Sequence, residues 1–251
     1  MLFLIISIVI IFLFITILET IIARNGITND FPSPKREPVE YGKQGKKLIY
    51  LLMGDSTAAG QGAAYTDGIG VHTAIHLSKN YHVSFINTGF SGATIKDVLF
   101  DQTSILKEVT PDIVLISAGA NDATRLRNFS QVKKDMETII ERILAKNCDA
   151  KIILTGSPDV GSVKRLVPPL NWEVSWISNM LNKNAIKPLI KKYALTYAPL
   201  YEETGPIFRK DPSLLADDKF HPNAKGYAVW SSVLNKAIDN AEKNQHSHCE
   251  R

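Results

Sequence analysis

Two kinds of apolar pattern divide this chain of 251 residues. Residues 1–18, MLFLIISIVIIFLFITIL, carry no charge and no proline or glycine. Extended to residue 23, the run would cover roughly 35 Å as a helix, enough to cross the hydrocarbon core of a bilayer. It lacks the basic start, the shorter apolar run and the small-residue cleavage site of a signal peptide. We therefore predict an uncleaved, single-pass membrane anchor over residues 1–23.

The next segment, 24–47, combines prolines, glycines and mixed charge without apolar periodicity, which is typical of a semi-extended linker. The basic residues Arg24, Lys35 and Arg36 all follow the apolar run. The positive-inside rule then favours a cytoplasmic catalytic domain. Long translocated domains override that rule, so the side of the membrane stays open.

From residue 48 onward, short apolar runs alternate with amphipathic stretches. The runs at 48–53, 83–86, 113–117, 152–155 and 194–198 are typical of strands buried on both faces of a parallel sheet. Helical periodicity predicts helices over about 68–77, 130–146, 174–193 and 222–239, with Ser130 as an N-cap. The alternation predicts a three-layer α/β/α sandwich with a mostly parallel five-stranded sheet over residues 48–241, followed by a polar tail, 242–251.

Composition narrows the class of protein only slightly. An apolar fraction of 45% and a charged fraction of 22% are ordinary for a globular domain. The net charge of +4 comes from scattered residues without a run of five like charges, so nothing supports nucleic-acid binding. The two cysteines, Cys148 and Cys249, are too few for a disulfide framework and do not decide the redox compartment.

The most unusual residues follow the predicted strands, at the sheet edge where open parallel sheets collect their chemistry. The first three strands run into GDSTAAGQG, NTGFSGAT and SAGANDAT, and DDKFHPNAKGY precedes the last predicted helix. The glycine-rich first stretch invites comparison with a phosphate-binding loop. It lacks the lysine of GxxxxGK[ST] and the spacing of GxGxxG, which argues against a nucleotide site.

These stretches contain the parts of a serine hydrolase. A serine hydroxyl ionises too little at neutral pH to attack an ester, so Ser56 needs an adjacent base, and His221 is the best candidate. Asp218 precedes His221 by three residues, close enough to orient the imidazole, and Asp217 competes for that role. Pro222 is expected in the first turn of the following helix. The alternative for His221 is a surface or core histidine without a catalytic role.

A tetrahedral intermediate also needs donors for its oxyanion. Three suggest themselves: the backbone N–H of Ser56, the backbone N–H of Gly92 and the side-chain amide of Asn121. Gly89 is a rival for Gly92 because it directly follows the strand, and Asn121 could instead cap a loop.

Taken together, the four stretches resemble the GDSL/SGNH hydrolase family from about residue 48 to residue 239. The forms GDSTAAG and GANDATRL look like a bacterial subgroup of lysophospholipase-like esterases. The resemblance implies a flavodoxin-like sheet, a catalytic Ser56–His221–Asp218 triad, and an oxyanion hole that includes Gly92 and Asn121. Lys219 departs from the family pattern, which commonly has glycine before the phenylalanine of this block.

The expected reaction is two-step ester hydrolysis through an acyl-enzyme, without a cofactor or a metal. His72 and His76 have a possible metal spacing, but no third ligand motif accompanies them. The anchor favours membrane-derived acyl esters such as lysophospholipids as substrates. Removal of acetyl groups from a cell-envelope carbohydrate is the alternative. A catalytically silent, anchored binding domain is a hypothesis of a different class, and the oligomeric state is not indicated.

One further stretch has two interpretations. Residues 161–170, followed by Trp172 and Trp176, form either an apolar flap over the site or a helix-packing surface.

Overall fold

The computed structural model describes residues 2–24, 31–243 and 247–249. The strands are Val39–Tyr41 (β1), Lys46–Gly54 (β2), Tyr81–Asn87 (β3), Ile113–Ser117 (β4), Lys151–Leu154 (β5) and Thr196–Tyr197 (β6). The α-helices are Leu2–Arg24 (α1), Ser56–Ala59 (α2), Ile69–Leu77 (α3), Ile95–Asp97 (α4), Ala120–Thr124 (α5), Phe129–Lys146 (α6), Leu170–Leu181 (α7), Lys187–Tyr193 (α8), Leu200–Lys210 (α9) and Ala224–Lys243 (α10). Two π-helical turns occupy Val98–Gln102 and Asn182–Ile186.

The strands form one six-stranded sheet in the order β1-β3-β2-β4-β5-β6. The five predicted strands correspond to β2–β6, which pair in parallel. The sixth, β1, pairs antiparallel with β3 and lies within the segment predicted as a linker. That prediction is therefore wrong for 39–41, because a strand of three residues with only one partly buried side chain leaves no apolar periodicity to detect. Residues 25–30 of the predicted linker lie outside the described residues.

The sheet separates two apolar clusters. On β2, Tyr50 and Leu52 pack into the cluster covered by α3, α9 and α10, whereas Leu51 and Met53 pack into the cluster covered by α6, α7 and α8. Successive side chains of a strand point to opposite faces, so a run without polar residues must be covered on both sides. The predicted three-layer α/β/α arrangement is confirmed.

Three helices begin or end differently from the prediction. Asn128, not Ser130, caps α6, and its side chain accepts a hydrogen bond from the backbone N–H of Gln131. The predicted helix over 174–193 is divided into α7, a π-helical turn and α8. Because α10 begins at Ala224, Pro222 lies before the helix, in a bridge opposite Leu215.

Helix α1 lies against the domain through its C-terminal part. The hydroxyl of Thr16 donates to Oε1 of Glu173 at 3.1 Å, and Oε2 of Glu19 accepts from the N–H of Leu170 at 3.2 Å. Further along, the carbonyl of Ala23 accepts from Nε of Arg165 at 2.6 Å. In the part of the chain that the structure describes, no helix combines the length and the apolar character needed to cross a bilayer. The predicted membrane-spanning anchor is therefore not supported, and polar groups of α1 bond to the domain instead.

A disulfide joins Cys148, just before β5, to Cys249 in the tail. The backbone N–H of His248 also donates to the carbonyl of Cys148 at 3.1 Å. The sequence does not predict this pairing, because the two cysteines lie 101 residues apart. Part of the polar tail is thereby held against the amino end of the sheet.

Candidate active site

Ser56 lies at a tight turn between β2 and α2. Gly54 has φ +152°, and a Cβ there would lie 2.0 Å from the carbonyl oxygen of Ser117, so only glycine fits. Asp55 caps α2, and its Oδ1 accepts from the backbone N–H of Thr57 at 2.9 Å and from its hydroxyl at 2.7 Å. Asp55 thus braces the turn that presents Ser56.

Gln102 holds the same turn from behind, and no motif in the sequence predicts this role. The side chain is fully buried, and its amide pairs with both backbone groups of Gly54. Oε1 accepts from the Gly54 N–H at 2.8 Å, and Nε2 donates to the Gly54 carbonyl at 2.7 Å. At the end of β2 the Gln102 amide thus takes the place of a neighbouring strand. It fixes the backbone two residues before Ser56.

The three predicted triad residues come together beyond the sheet. Nε2 of His221 lies 2.9 Å from Oγ of Ser56, and Nδ1 lies 2.5 Å from Oδ2 of Asp218. Oδ1 of Asp218 accepts from the backbone N–H groups of Phe220 and His221, both at 2.9 Å. Asp217, the rival, is exposed and makes no hydrogen bond to His221 within the described part of the chain. Asp218 is the carboxylate that orients the imidazole.

Electrostatics keeps Asp218 ionised. Burial raises the pKa of this carboxyl, but hydrogen bonds from the His221 ring and from the backbone N–H groups outweigh it and lower the pKa to about 2. A hydrogen bond to an anionic carboxylate requires Nδ1 of His221 to be the donor. In the neutral imidazole, Nε2 is then the free acceptor that faces Ser56.

Two of the three predicted oxyanion donors have a defined setting. One N–H of the Asn121 side chain donates to the carbonyl of Ala93 at 3.0 Å, which fixes the amide and leaves its second N–H. Asn121 lines the same cavity as Ser56. The backbone N–H of Gly92 makes no hydrogen bond to any described residue, and its φ is +78°. The backbone N–H of Gly92 is therefore able to donate to an oxyanion.

Gly89, the rival of Gly92, has a packing role. Its N–H is engaged by Oδ1 of Asn87 at 3.0 Å. A Cβ at Gly89 would lie 2.7 Å from Cβ of Ala58 and 3.0 Å from the backbone nitrogen of Ala59. The glycine lets this loop approach α2 closely.

A cavity of about 40 Å³ opens beside Ser56, His221 and Asn121. Its walls are mainly apolar and come from the loop after β5, from α9 and α10, and from the loop that contains His221. They include Val160, Val163, Phe208, Phe220 and Trp230. Of the stretch interpreted as a flap, Ser162 and Val163 line this cavity. Trp172 and Trp176 do not line it, and their side chains are 64% and 62% exposed.

Comparison with known proteins identifies this arrangement. The chain matches the GDSL-like Lipase/Acylhydrolase family over residues 52–229. It belongs to that family. The expected activity class is confirmed: the protein is an ester hydrolase. The finer assignment to a lysophospholipase-like subgroup is not among these findings, and no curated protein matches the chain.

Solved structures share the fold of this GDSL-like hydrolase. TesA superimposes with a TM-score of 0.63 at 18% identity, covering 77% of this chain and 99% of TesA. Axe2, an acetylxylan esterase from Geobacillus stearothermophilus, gives 0.56 at 18% identity, with 77% and 95% covered. A family 3 carbohydrate esterase from Clostridium thermocellum gives 0.59 at 15% identity, with 79% and 98% covered.

The departure at Lys219 has a backbone explanation. Lys219 has φ +56°, the left-handed region that glycine adopts most readily, so this GDSL-like hydrolase holds a lysine where the backbone favours glycine. The turn is secured by bonds to its carbonyl groups: the Lys219 carbonyl accepts from the N–H of Arg165 at 3.0 Å. Nη1 of Arg165 donates to the carbonyl of Asp218 at 2.9 Å.

Two other groups considered from the sequence have no place in this site. Nε2 of His76 lies 2.7 Å from Oδ1 of Asp239, so α3 uses this histidine to contact α10. In the described ranges, no cluster of metal-ligating side chains includes His72 or His76. Asp122, the residue after Asn121, is fully buried, and its Oδ2 accepts from the N–H of Ile95 at 2.9 Å, so it braces α4.

Proposed function

We propose that Ser56, His221 and Asp218 carry out two-step hydrolysis of a carboxylic ester. The observation that carries this proposal is the chain of hydrogen bonds from Ser56 Oγ through His221 to Asp218. Ser56 attacks the carbonyl carbon while Nε2 of His221 takes the hydroxyl proton. The proton is then transferred to the leaving alcohol. Water, deprotonated by the same nitrogen, attacks the acyl-enzyme; the bond from the acyl carbon to Oγ of Ser56 then breaks, the acid is released, and Nε2 returns the proton to Oγ.

The oxyanion is stabilised in this proposal by the backbone N–H groups of Ser56 and Gly92 and by the side chain of Asn121. The hydrogen bond from Asn121 to Ala93 holds the amide in place before the reaction, so little reorganisation is needed when charge develops. Loss of one such donor costs about 10²–10³ in kcat. Asn121→Ala is expected to fall in that range, measured with p-nitrophenyl acetate.

The decisive test replaces the nucleophile. Ser56→Ala should lower kcat by roughly 10⁴-fold or more and abolish labelling by a fluorophosphonate probe. Ser104→Ala is the matched control, because Ser104 is exposed and its hydroxyl donates only to the nearby carbonyl of Asp101. Undiminished turnover by Ser56→Ala, or loss of labelling in the control, would contradict the mechanism. A chain that folds but neither reacts with the probe nor hydrolyses esters would favour a silent binding domain.

For the substrate, we propose a short acyl ester such as an acetate. The cavity of about 40 Å³ supports this proposal, because the acyl group and the adjacent part of the alcohol must share a volume that holds only a few water-sized groups. O-deacetylation of a carbohydrate is compatible with this size, and two fold neighbours bear the names of acetylxylan and carbohydrate esterases.

Lysophospholipids are the competing proposal. The observation that favours them is the set of exposed apolar side chains on α1, among them Phe12, Phe14 and Ile17, which could contact lipid. Rates on p-nitrophenyl esters from acetyl to palmitoyl, beside lysophosphatidylcholine, separate the two. A maximum at acetyl supports the short-acyl proposal. A rate that rises with chain length, together with release of fatty acid from the lysolipid, contradicts it.

We also propose that the catalytic domain works in an oxidising compartment, whereas the positive-inside rule favours the cytoplasm. The disulfide between Cys148 and Cys249 supports this location, because such bonds persist outside the reducing cytosol. Alkylation of protein taken directly from cells tests it. Both cysteines should resist the reagent until a reductant is added, and free thiols before reduction would argue for the cytosol.

A further inference from the structure

The cavity beside Ser56 is lined by two polar side chains that the proposed mechanism does not use. Asp159 follows β5 and Trp230 lies on α10; they are only 6% and 5% exposed, and both line the cavity. Each holds a buried polar atom, Oδ1 of Asp159 and Nε1 of Trp230, with no hydrogen-bond partner among the described residues. Buried polar groups in folded proteins are nearly always paired, so an unpaired acceptor and an unpaired donor at one cavity call for an explanation.

The carboxylate of Asp159 is held in a built setting. Nη2 of Arg209 lies 2.5 Å from its Oδ2, and the same guanidinium donates to Oγ of Ser175 and to the carbonyl of Gly161. Gly205 makes room for this arrangement, since a Cβ there would lie 2.8 Å from Oδ2 of Asp159. The ion pair engages one carboxylate oxygen and leaves the other as an acceptor.

The indole of Trp230 is fixed as well. Its ring lies edge-on to Tyr227 and tilted against Phe208, with centroids 6.3 and 6.2 Å apart. An indole offers one N–H donor and no acceptor. The carboxylate oxygen, in turn, accepts only. A hydroxyl group is the small substituent that can donate to the carboxylate oxygen of Asp159 and accept from the indole N–H of Trp230, whereas a hydrocarbon chain leaves both unpaired.

We infer that Asp159 and Trp230 form a subsite for a free hydroxyl group on the alcohol portion of the ester. This inference rests on the proposed function and extends it to a substrate class, the monoacyl esters of polyhydroxy compounds. The alcohol portion is assigned because the proposed acetyl group has no hydroxyl, so that only the alcohol can bring one to the cavity that Ser56 and His221 line. A site built to bind a hydroxyl discriminates strongly against the analogue that lacks it.

The test compares pairs of acetates that differ in one hydroxyl group. 2-Hydroxyethyl acetate is paired with propyl acetate, and monoacetylated glycerol and methyl glucoside are each paired with a deoxy counterpart. The wild type should prefer at least one hydroxylated member by about 10- to 100-fold in kcat/KM. Asp159→Asn and Trp230→Phe should each reduce that preference several-fold or more. Trp176→Phe, the same exchange at an exposed position, should leave the preference unchanged.

The outcomes separate this inference from the proposed function. Equal kcat/KM within every pair, unchanged in both variants, would overturn the hydroxyl subsite but not ester hydrolysis. The two polar atoms would then bond to water only. Should the wild type fail even on p-nitrophenyl acetate, the proposed hydrolysis itself is wrong. Two variants are used because Asp159→Asn also alters the ion pair with Arg209, whereas Trp230→Phe leaves that pair intact.

Discussion

Replacing Asp218 by asparagine tests how the triad works more closely than removing the nucleophile does. The asparagine oxygen can still accept from the backbone N–H groups that now bond to Oδ1 of Asp218. Its amide nitrogen then takes the place of Oδ2, which lies 2.5 Å from Nδ1 of His221. Two donors cannot face each other at that distance, so the imidazole must change tautomer.

The magnitude follows from that change. With Nδ1 as acceptor, Nε2 carries the proton and points it at Oγ of Ser56, 2.9 Å away, so the base is lost while the shape of the site is kept. The corresponding exchange in a Ser-His-Asp protease lowers kcat by about 10⁴-fold, or about 5.5 kcal/mol of barrier. We expect a similar loss in Asp218→Asn, with a much smaller change in KM. The pKa of Asp218, about 2, lies far below the pH of the assay, so its own titration does not interfere.

The assay is steady-state hydrolysis of p-nitrophenyl acetate at neutral pH, with thermal unfolding to verify the fold. Asp217→Asn is the matched control, because it makes the same exchange at the adjacent, exposed position. A kcat within about tenfold of wild type for Asp218→Asn would refute the tautomer argument. So would an equal loss in Asp217→Asn, since that residue would then be the partner of His221.

Three further predictions concern stability, each measured by urea unfolding. Gln102→Leu should destabilise the fold by about 1–3 kcal/mol, because it leaves the buried N–H of Gly54 unpaired, whereas the Gly54 carbonyl keeps its bond from the N–H of Phe90; an unchanged midpoint would contradict this. Burial raises the pKa of Asp122 from 3.8 to about 6, so the folded state retains a proton that the unfolded chain releases. Its contribution to stability therefore falls by about 3 kcal/mol as pH rises from 4 to above 6. Asp122→Asn should remove that fall. Parallel pH profiles of stability for the wild type and the variant would contradict this. Cys148→Ser should cost up to about 4–5 kcal/mol, because its bond to Cys249 closes a loop of 101 residues, and no loss would mean that the bond does not form.

The parts of the fold that the sequence predicts are those that leave a local pattern. The apolar runs of β2–β6 are continuous because both faces of the sheet are covered, and such runs are visible without a structure. The positions of Ser56 and His221 follow from the turn chemistry around them. The sequence does not predict helix α9, because Gly205 and Pro206 interrupt its pattern, and only packing against Asp159 explains the glycine.

The remaining features depend on contacts between distant residues. Gln102 lies 48 residues from the glycine that it holds, in a π-helical turn without a motif. Arg209 reaches Asp159 across 50 residues, and its neighbours in the chain do not suggest a partner. Likewise, the apolar composition of α1 indicates burial or lipid contact, but the hydrogen bonds of Thr16 and Glu19 to the domain are tertiary. A single sequence contains no local signal for such pairs.

The direction of the parallel strands also decides how this enzyme can be attached to anything else. Ser56 follows the carboxyl end of β2, and α1 ends beside Arg165, which bonds to Asp218 at that same edge. Cys249 is held at the amino edge, roughly 17 Å away along the five residues of β4. A solid support or reporter joined next to Cys249 would therefore leave the catalytic face open to solution. One joined through α1 would lie on the side from which substrate enters.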